Sequence, residues 1–317
     1  MKLAEVYKKY NTQAKCLKKL EVLRWGKTVK CPYCESKSTR PTKSEAGRHS
    51  CKTCKRSFTV MVGTIFEHSA LPLPKWFELA TLMLNAKGGM NAMELKRNVK
   101  VTYKTAYYVA MRIRIGMLEP DTKLNGIIEM DESYFGGKAR KLRAVTDNTP
   151  SLAKVDLKRG RGTHKISVVG MVQRKGKVRT KVVEKLTKRN LLSILKRYAK
   201  KDNSLLMTDG FRSYKTLEQY IDRLVINHNK AYSKGITHIN TIEGYWSFIK
   251  NGIRGNFKSI SKKYLPFYLI EYEWKYNHRN FKGNQLENFL KNALNHEKEL
   301  EYWKAQSTQH VKEVAYD

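Results

Sequence analysis

The chain has 317 residues, of which 63 are lysine or arginine and 28 are aspartate or glutamate. A net charge of +35 with a hydrophobic fraction of 41% argues against a disordered chain and favours two or three folded domains with a polyanionic partner. The sequence contains no apolar run of about 18 residues and no N-terminal signal segment, so we expect a cytoplasmic protein without a membrane partner.

Residues 1–27 are predicted to form a helical lead-in, because apolar side chains recur at helical spacing with lysines between them. The next segment, residues 28–66, is rich in serine, threonine and basic residues and holds four of the five cysteines. A segment of this composition cannot build an apolar core of its own, so a metal ion is expected to hold it together. We therefore predict a small zinc-ribbon domain at 28–66.

The cysteines follow the pattern C-x2-C-x16-C-x2-C, in "CPYC" and "CKTC". Each CxxC turn presents two thiolates to one tetrahedral ion, and Zn–S bonds of about 2.3 Å suit that arrangement. The spacing predicts one structural Zn²⁺ with no open coordination position; a redox CxxC or two unrelated cysteine pairs are the alternatives. Cys16 is expected to be a buried small hydrophobe, and His49 is a neighbouring alternative ligand. The predicted zinc ligands are Cys31, Cys34, Cys51 and Cys54.

Residues 70–118 have a helical pattern and are predicted to form a helix-turn-helix DNA-binding domain. Asn91 is a candidate N-cap, and a short turn near Val101 separates two helices. The second of these helices carries side chains that can reach phosphates and base edges. An ordinary basic helical hairpin is the alternative. The predicted DNA-binding residues are Lys104, Thr105, Arg112 and Arg114.

Alternating apolar and polar residues follow the helical region and indicate strands. The predicted order is a strand ending at Asp131, a mobile loop at 137–163, a β-hairpin that turns at Lys175-Gly176, and a helix. A strand ending at Asp209, a helix and a short strand come next. From 241 to about 303 the sequence is predicted to be mainly helical.

Three acidic residues stand where predicted strands or helices meet loops: Asp131, Asp209 and Glu243. The first two end apolar strands, at the edge where α/β sheets carry their sites, and Glu243 opens a helix. Oxygen ligands that converge from separate elements suit Mg²⁺ or Mn²⁺, which promote phosphodiester displacement. A cap, turn or surface role is the alternative for each acid alone. Glu132 ranks below Asp131, because it would point to the opposite face of the strand.

The order of these elements is similar to that of a ribonuclease-H-like fold. Five segments over about residues 20–290 are informative together: "CPYC…CKTCKRSFTVMVGTIFEHS", "MDESYFGG", "MTDGFRSY", "HINTIEGYWSFIKNGIRG" and "YLPFYLIEYEWKYNHRN". In these segments the chain resembles the DDE transposases of bacterial insertion sequences, specifically the insertion sequence 1595 family with an N-terminal zinc ribbon. The resemblance implies a multidomain protein with an α/β ribonuclease-H-like DDE domain at 125–290, and with a C-terminal helix and tail at 291–317.

The resemblance also implies the roles of individual residues. Asp131, Asp209 and Glu243 would be the catalytic carboxylates and would hold Mg²⁺ or Mn²⁺. Related proteins can carry asparagine at the third position, so Asn240 stays open as an alternative to Glu243. The implied supporting or DNA-contacting residues are Lys250, Asn240 and His238.

The implied function is that of a bacterial, nucleoid-associated transposase. It would bind the terminal inverted repeats of its element and carry out metal-dependent DNA cleavage and strand transfer. Its partners would be double-stranded DNA, at element ends and target, and further copies of itself in a synaptic complex. The alternatives are a non-catalytic zinc-ribbon and helix-turn-helix regulator, or a ribonuclease-H-like repair nuclease.

Overall fold

The computed structural model describes residues 2–136, 165–226 and 238–295. The loop predicted at 137–163 lies outside the described residues, as does the predicted tail beyond residue 295. The chain divides into two compact units, which we call the helical unit and the sheet unit. The helical unit comprises Met1–Asp121, Ile249–Phe257 and Pro266–Asp317. The sheet unit comprises Thr122–Phe248 and Lys258–Leu265.

The helical unit begins with two helices and a small sheet. Helix α1 spans Leu3–Lys9 and helix α2 spans Gln13–Trp25. Strands β1 (Thr39–Pro41), β2 (Arg48–Cys51) and β3 (Ser57–Thr59) then form an antiparallel sheet in the order β1-β2-β3. These short strands hold little apolar area, which is why the segment needs its cysteines.

Three helices follow the small sheet: α3 (Leu73–Asn85), α4 (Ala92–Val99) and α5 (Tyr103–Gly116). The Asn91 side chain caps α4 by accepting from the backbone N–H of Glu94, as predicted. Helix α4 ends at Val99 and is followed by its C-cap Lys100, whose φ of 53° is left-handed. Thr102 then caps α5, so a three-residue turn separates the two helices.

The chain beyond Pro266 also belongs to the helical unit, which differs from the single domain predicted at 125–290. It contains helices α8 (Leu265–Asn277) and α9 (Gln285–Ala293). The physical reason is a buried ion cluster: Arg114 on α5 donates through Nε to Glu271 on α8 at 2.8 Å. Both side chains are at most 2% exposed, so the two helices are joined inside the core.

The described residues of the sheet unit form a five-stranded sheet. Its strands are β4 (Leu124–Phe135), β5 (Ile166–Gln173), β6 (Val178–Val183), β7 (Ala199–Asp209) and β8 (Asp222–Ile226). Their order is β6-β5-β4-β7-β8. The first three pair antiparallel, and β7 and β8 run parallel to β4. The predicted hairpin is confirmed, and its turn contains Lys175 with a left-handed φ of 58°.

Each face of this sheet is covered by different elements. Helix α6 (Lys188–Tyr198) packs Leu191 and Leu195 against Met130 and Leu206 of the sheet. The segment predicted as a helix after Asp209 is a 3-10 helix, Arg212–Gln219, on this same apolar core. Helix α7 (Asn240–Gly252) covers the opposite face, where its Trp246 meets Phe135 of β4.

Candidate active site and zinc site

The four cysteines lie together at one end of the small sheet. Cys31 Sγ is 3.7 Å from Cys54 Sγ, and Cys34 Sγ is 3.6 Å from Cys51 Sγ. Four sulfurs at about 2.3 Å from a tetrahedral ion would be about 3.8 Å apart. All four sulfurs lie within 4.8 Å of one another, so the cluster fits a structural zinc ion.

Two similar turns bring the sulfurs together. In each turn the residue after the second cysteine is left-handed: φ is 56° at Glu35 and 62° at Lys55. Its backbone N–H donates to the carbonyl of the first cysteine, from Glu35 to Cys31 at 2.9 Å and from Lys55 to Cys51 at 3.1 Å. The CxxC spacing thus folds locally into the geometry that one ion requires.

A backbone donor favours the thiolate form of Cys51. The backbone N–H of Cys54 donates to Cys51 Sγ at 3.5 Å, and it lowers the pKa of the Cys51 thiol to about 6. A thiolate is the form that binds zinc. His49 instead stacks on Phe58 and reaches Glu21 through Nε2 at 2.8 Å, so it does not take a ligand position.

Two of the predicted carboxylates come from adjacent strands. Parallel pairing sets Glu129 of β4 beside Met207 of β7. The same register, continued along both strands, brings Asp131 next to Asp209. Asp209 also has a turn role, because its Oδ1 accepts from the backbone N–H of Phe211 at 3.0 Å.

The electrostatics of Asp131 are those of a crowded acidic site. Burial, followed by the charges of Glu132 and Asp209, raises the pKa of the Asp131 carboxyl to about 7. Like charges held close together favour a proton or a cation between them. Divalent metal would relieve the same repulsion.

Helix α7 approaches this site closely. Trp246 Nε1 donates to Asp131 Oδ2 at 3.1 Å. Gly170 of β5 pairs with Asp131, and a Cβ at this glycine would lie 2.5 Å from the Trp246 ring. Glycine at this position therefore lets α7 lie against the sheet beside Asp131.

Glu243 lies in the first turn of α7, one turn before Trp246, and its side chain is exposed. Within the described ranges, the four cysteines are the only group of three or more His, Cys, Asp or Glu side chains whose ligand atoms lie within 4.8 Å of one another. The structure therefore brings Asp131 and Asp209 together but does not add Glu243 to them at that distance. Lys250 follows on the same helix and is also exposed.

Glu132 points away from α7, as the alternation of the strand predicts. It accepts a hydrogen bond from Tyr214 Oη at 2.6 Å. Tyr214 is fully buried in the core shared with α6. Glu132 thus acts on the site through its charge, from the opposite face of β4.

A fourth acid, Glu129, was missed by sequence reasoning. It is fully buried on β4 and forms an ion pair with Arg174, with Nε 2.6 Å from Oε1. His238 lies beside this pair: its backbone oxygen accepts from Arg174 at 2.7 Å. Asn240 is exposed at the start of α7. The only sequence signal for Glu129 was a charge inside the apolar stretch "GIIEMD".

The structure corrects two of the predicted DNA contacts. Arg112 and Arg114 are 4% and 2% exposed. Arg112 contacts Tyr108 Oη and the backbone oxygen of Thr64, and Arg114 pairs with Glu271. Their prediction as phosphate contacts was wrong, because both side chains point into the helical unit rather than to solvent.

The exposed side of the same helical pair carries other cations. Lys104 is exposed and Thr105 half-buried at the start of α5. An open groove of about 510 Å³ lies next to them. Its lining includes Lys75, Lys96, Lys100, Tyr103 and Thr105. These lysines, from α3, α4 and the α4–α5 turn, form a basic surface that the sequence analysis did not single out.

Among the residues that the structure describes, no helix is long and apolar enough to span a membrane.

Comparisons with known protein families match two segments of the chain. Residues 123–277 match the ISXO2-like transposase domain of the insertion sequence 1595 DDE transposases, and residues 11–57 match the transposase zinc-ribbon domain. A protein of the transposable element ISH50 from Halobacterium salinarum is 29% identical over 80% of this chain and 87% of its own length. A transposase-like protein of Haemophilus influenzae is 34% identical over 34% of this chain and 88% of its own length.

Among solved structures, a pre-cleavage Mos1 transpososome aligns over 73% of this chain and 81% of its own chain, at 15% identity and a TM-score of 0.26. The family assignment rests instead on the two domain matches and on the two relatives. The chain belongs to the insertion sequence 1595 family of transposases, with a zinc ribbon at its N-terminus.

Proposed function

We propose that this transposase cleaves and joins DNA at a metal site formed by Asp131, Asp209 and Glu243. The observation that carries the proposal is the buried position of Asp131 beside two other acids: burial, followed by the charges of Glu132 and Asp209, raises the pKa of the Asp131 carboxyl to about 7. Carboxylates kept together at the cost of mutual repulsion are typical of sites that bind divalent cations.

The sheet supports a ribonuclease-H-like assignment for the catalytic domain. Three antiparallel strands, β4 to β6, are followed by β7 and β8, both parallel to β4. Asp131 and Asp209 belong to the two adjacent parallel strands, and α7 covers the face on which Asp131 contacts Trp246. The order of the strands and the positions of these two carboxylates on them therefore agree with the ribonuclease-H-like fold that the family resemblance implies.

The donor set suits Mg²⁺ or Mn²⁺, because it consists of carboxylate oxygens from separate elements. When bound, such ions activate the attacking oxygen and stabilise the leaving oxygen in phosphodiester displacement. Asp131 and Asp209 would supply most of the negative charge that balances the metal. Glu243 would complete the site from the first turn of α7. Lys250, two helical turns later, would contact a DNA phosphate or a displaced base.

The remaining parts of the chain would recognise DNA. The zinc ribbon and the α4–α5 pair would bind the terminal repeats, and the basic groove beside Lys104 would contact phosphates. Two element ends must meet for transposition, so a homo-oligomeric synaptic complex on double-stranded DNA is expected. One structural zinc per chain would hold the ribbon, and the catalytic domain would use Mg²⁺ or Mn²⁺.

The test is strand joining by the full chain, with pre-cleaved element-end duplexes and Mg²⁺. Asp209→Asn keeps size and most hydrogen bonding but removes the charge, so strand joining should fall by about 10³-fold or more. DNA binding should survive, because the charge that is lost repels phosphate. Full strand joining by Asp209→Asn would overturn the mechanism.

The third carboxylate is tested separately. Glu243→Gln should behave like Asp209→Asn, whereas Asn240→Ala should keep partial activity. Loss of activity in Asn240→Ala, with none in Glu243→Gln, would assign the third position to Asn240.

A further inference from the structure

Glu129 is a buried carboxylate that the proposed chemistry does not use. It lies two residues before Asp131 on β4 and is 0% exposed. It accepts from Arg174 Nε at 2.6 Å, from Thr241 Oγ1 at 2.9 Å and from the backbone N–H of Ile242 at 2.9 Å. Burial of a carboxylate is costly unless it is paired and hydrogen-bonded, so these contacts define a built site.

Arg174 connects this site to His238, two residues before α7. Arg174 follows β5. Its Nη2 donates to the His238 backbone oxygen at 2.7 Å and contacts His238 Nδ1 at 3.0 Å. The same His238 Nδ1 lies 3.5 Å from Glu129 Oε1. We call Glu129, Arg174, His238 and Thr241 the Glu129 network.

The Glu129 network fixes the beginning of α7. The first N–H groups of a helix lack partners within the helix, and Glu129 satisfies that of Ile242 from another element. A negative charge at this end is also favoured by the helix dipole. The result is a helix cap that comes from the strand carrying Asp131.

Two contacts hold α7 along β4. Glu129 and Asp131 lie on the same face of the strand and are about 7 Å apart along it. They contact Ile242 and Trp246, which lie about 6 Å apart along the helix. Because the spacings on strand and helix are similar, the two contacts together restrict both the rotation and the axial position of α7. Glu243 is the residue after Ile242, so the position of α7 also sets the orientation of the Glu243 side chain.

We propose that Glu129 is a positioning residue for transposition, which holds the first turn of α7 so that Glu243 faces the site of Asp131 and Asp209. The proposal rests on the proposed function for the role of Glu243. Its structural part, the capping of α7 by Glu129, is independent of that role.

The main variant is Glu129→Gln in the full chain, and Glu271→Gln is its matched control. Glu271 is also 0% exposed and paired with an arginine, but its hydrogen bonds run to Arg114 and Lys275 in the helical unit. Backbone amide exchange should quicken in residues 240–246 by about tenfold in Glu129→Gln. In Glu271→Gln the exchange of this segment should stay unchanged.

Activity provides the second readout. A displacement of about 1 Å at a reacting group costs about 10²-fold, so strand joining by Glu129→Gln should fall by that factor. The Mg²⁺ concentration needed for half-maximal joining should rise in Glu129→Gln and stay unchanged in Glu271→Gln. A merely structural role would lower the amount of folded protein and leave this concentration unchanged.

A milder pair of variants serves if Glu129→Gln does not fold. Thr241→Val removes one hydrogen bond to Glu129, and Thr241→Ser keeps it. Exchange in 240–246 should be a few-fold faster in Thr241→Val and restored in Thr241→Ser. Unchanged exchange and unchanged Mg²⁺ dependence in a folded Glu129→Gln or Thr241→Val protein would overturn the proposal. If Glu243→Gln keeps full activity while Glu129→Gln still loosens α7, the catalytic role of Glu243 fails and the cap stands.

Discussion

The cysteine cluster and the carboxylate site differ in how the chain assembles them. All four sulfurs come from two turns of one small sheet, and they lie within 4.8 Å of one another. The carboxylates come from β4, β7 and α7, and only Asp131 and Asp209 are brought together by strand register. The first site thus depends on local turn geometry, while the second depends on the whole sheet unit and on the position of one helix.

The two sites also differ in how their surroundings shift the pKa of a ligand group. At the cysteine cluster, a backbone N–H donor lowers the pKa of Cys51 to about 6. At the carboxylate site, burial and neighbouring acids raise the pKa of Asp131 to about 7. The ribbon has a very small apolar core, so loss of zinc should unfold it. The sheet unit has a large apolar core and should stay folded without metal, with Asp131 binding a proton instead.

The largest effect is expected at the zinc ribbon. Cys54→Ser removes one of four ligands, and structural zinc contributes about 10 kcal/mol or more to the folding of small metal domains. The variant should lose zinc and protection from amide exchange over residues 28–60. Elemental analysis and amide exchange measure both. Cys16→Ala is the control, because Cys16 is buried on α2, outside the cluster. A Cys54→Ser protein with one zinc per chain would contradict the assignment.

The next effect is the pH dependence of the sheet unit in magnesium-free buffer. The pKa of Asp131 is raised from 3.8 to about 7, so the folded state binds this proton more tightly than the unfolded state. The resulting stability is complete below pH 4 and is lost as the pH rises towards 7, by about 1.4 kcal/mol per unit. Asp131→Asn should remove this slope.

The measurement is chemical unfolding of the zinc-loaded protein between pH 5 and 8, compared between the wild type and Asp131→Asn. The stability of the variant relative to the wild type should rise with pH. Saturating Mg²⁺ should flatten the wild-type curve, because the metal favours the ionised carboxylate. Parallel curves in magnesium-free buffer would contradict the raised pKa of Asp131.

The zinc site could be predicted from the sequence more completely than the carboxylate site, because its ligands are close together in the chain. The zinc ligands are specified by spacing within a short segment, and the structure brings all four together. Asp131 and Asp209 are identifiable because each follows an apolar stretch, although only Asp209 ends its strand: β4 continues beyond Asp131 to Phe135, so the predicted strand end at Asp131 was wrong. Parallel pairing of β4 with β7 is enough to make the two carboxylates neighbours. The relation of Glu243 to these acids depends on how α7 packs, which no local pattern encodes.

The errors and omissions have a common physical cause. Arg112 and Arg114 were assigned to DNA because charged helical residues are usually exposed. Their burial depends on partners such as Glu271, which is distant in sequence. Glu129 was overlooked for the complementary reason: an isolated charge in a strand gives no sign of Arg174 and the first turn of α7 around it.

A smaller effect is expected from Gly170, which tests how closely α7 must lie to the sheet. A Cβ at this position would be 2.5 Å from the Trp246 ring and 3.0 Å from Ile242. Gly170→Ala should therefore destabilise the sheet unit by about 1–3 kcal/mol, and reduce strand joining in the protein that remains folded. Gly244→Ala is the control: nothing lies within 4 Å of its Cβ, so alanine in this helix should stabilise by up to about 1 kcal/mol. Equal stability of the two variants would show that α7 does not need this close contact.

The smallest effect concerns the basic groove, and it tests the correction of the predicted DNA contacts. Lys96 and Lys100 line the groove and are exposed. Lys96→Ala combined with Lys100→Asn should reduce the salt dependence of binding to terminal-repeat DNA by about one unit of log–log slope per lost phosphate contact. Asparagine is chosen at 100 because it tolerates the left-handed φ of 53° there.

Two controls separate phosphate contacts from folding in this last experiment. Lys87→Ala removes an exposed lysine that does not line the groove, and its salt slope should stay near that of the wild type. Arg112→Ala removes a buried cation stacked near Trp76 and Tyr108, so it should lower the stability of the helical unit and leave the slope of the folded protein unchanged. A reduced slope in Arg112→Ala, with none in the Lys96 and Lys100 double variant, would restore the original assignment. It would require α5 to expose Arg112 when DNA binds.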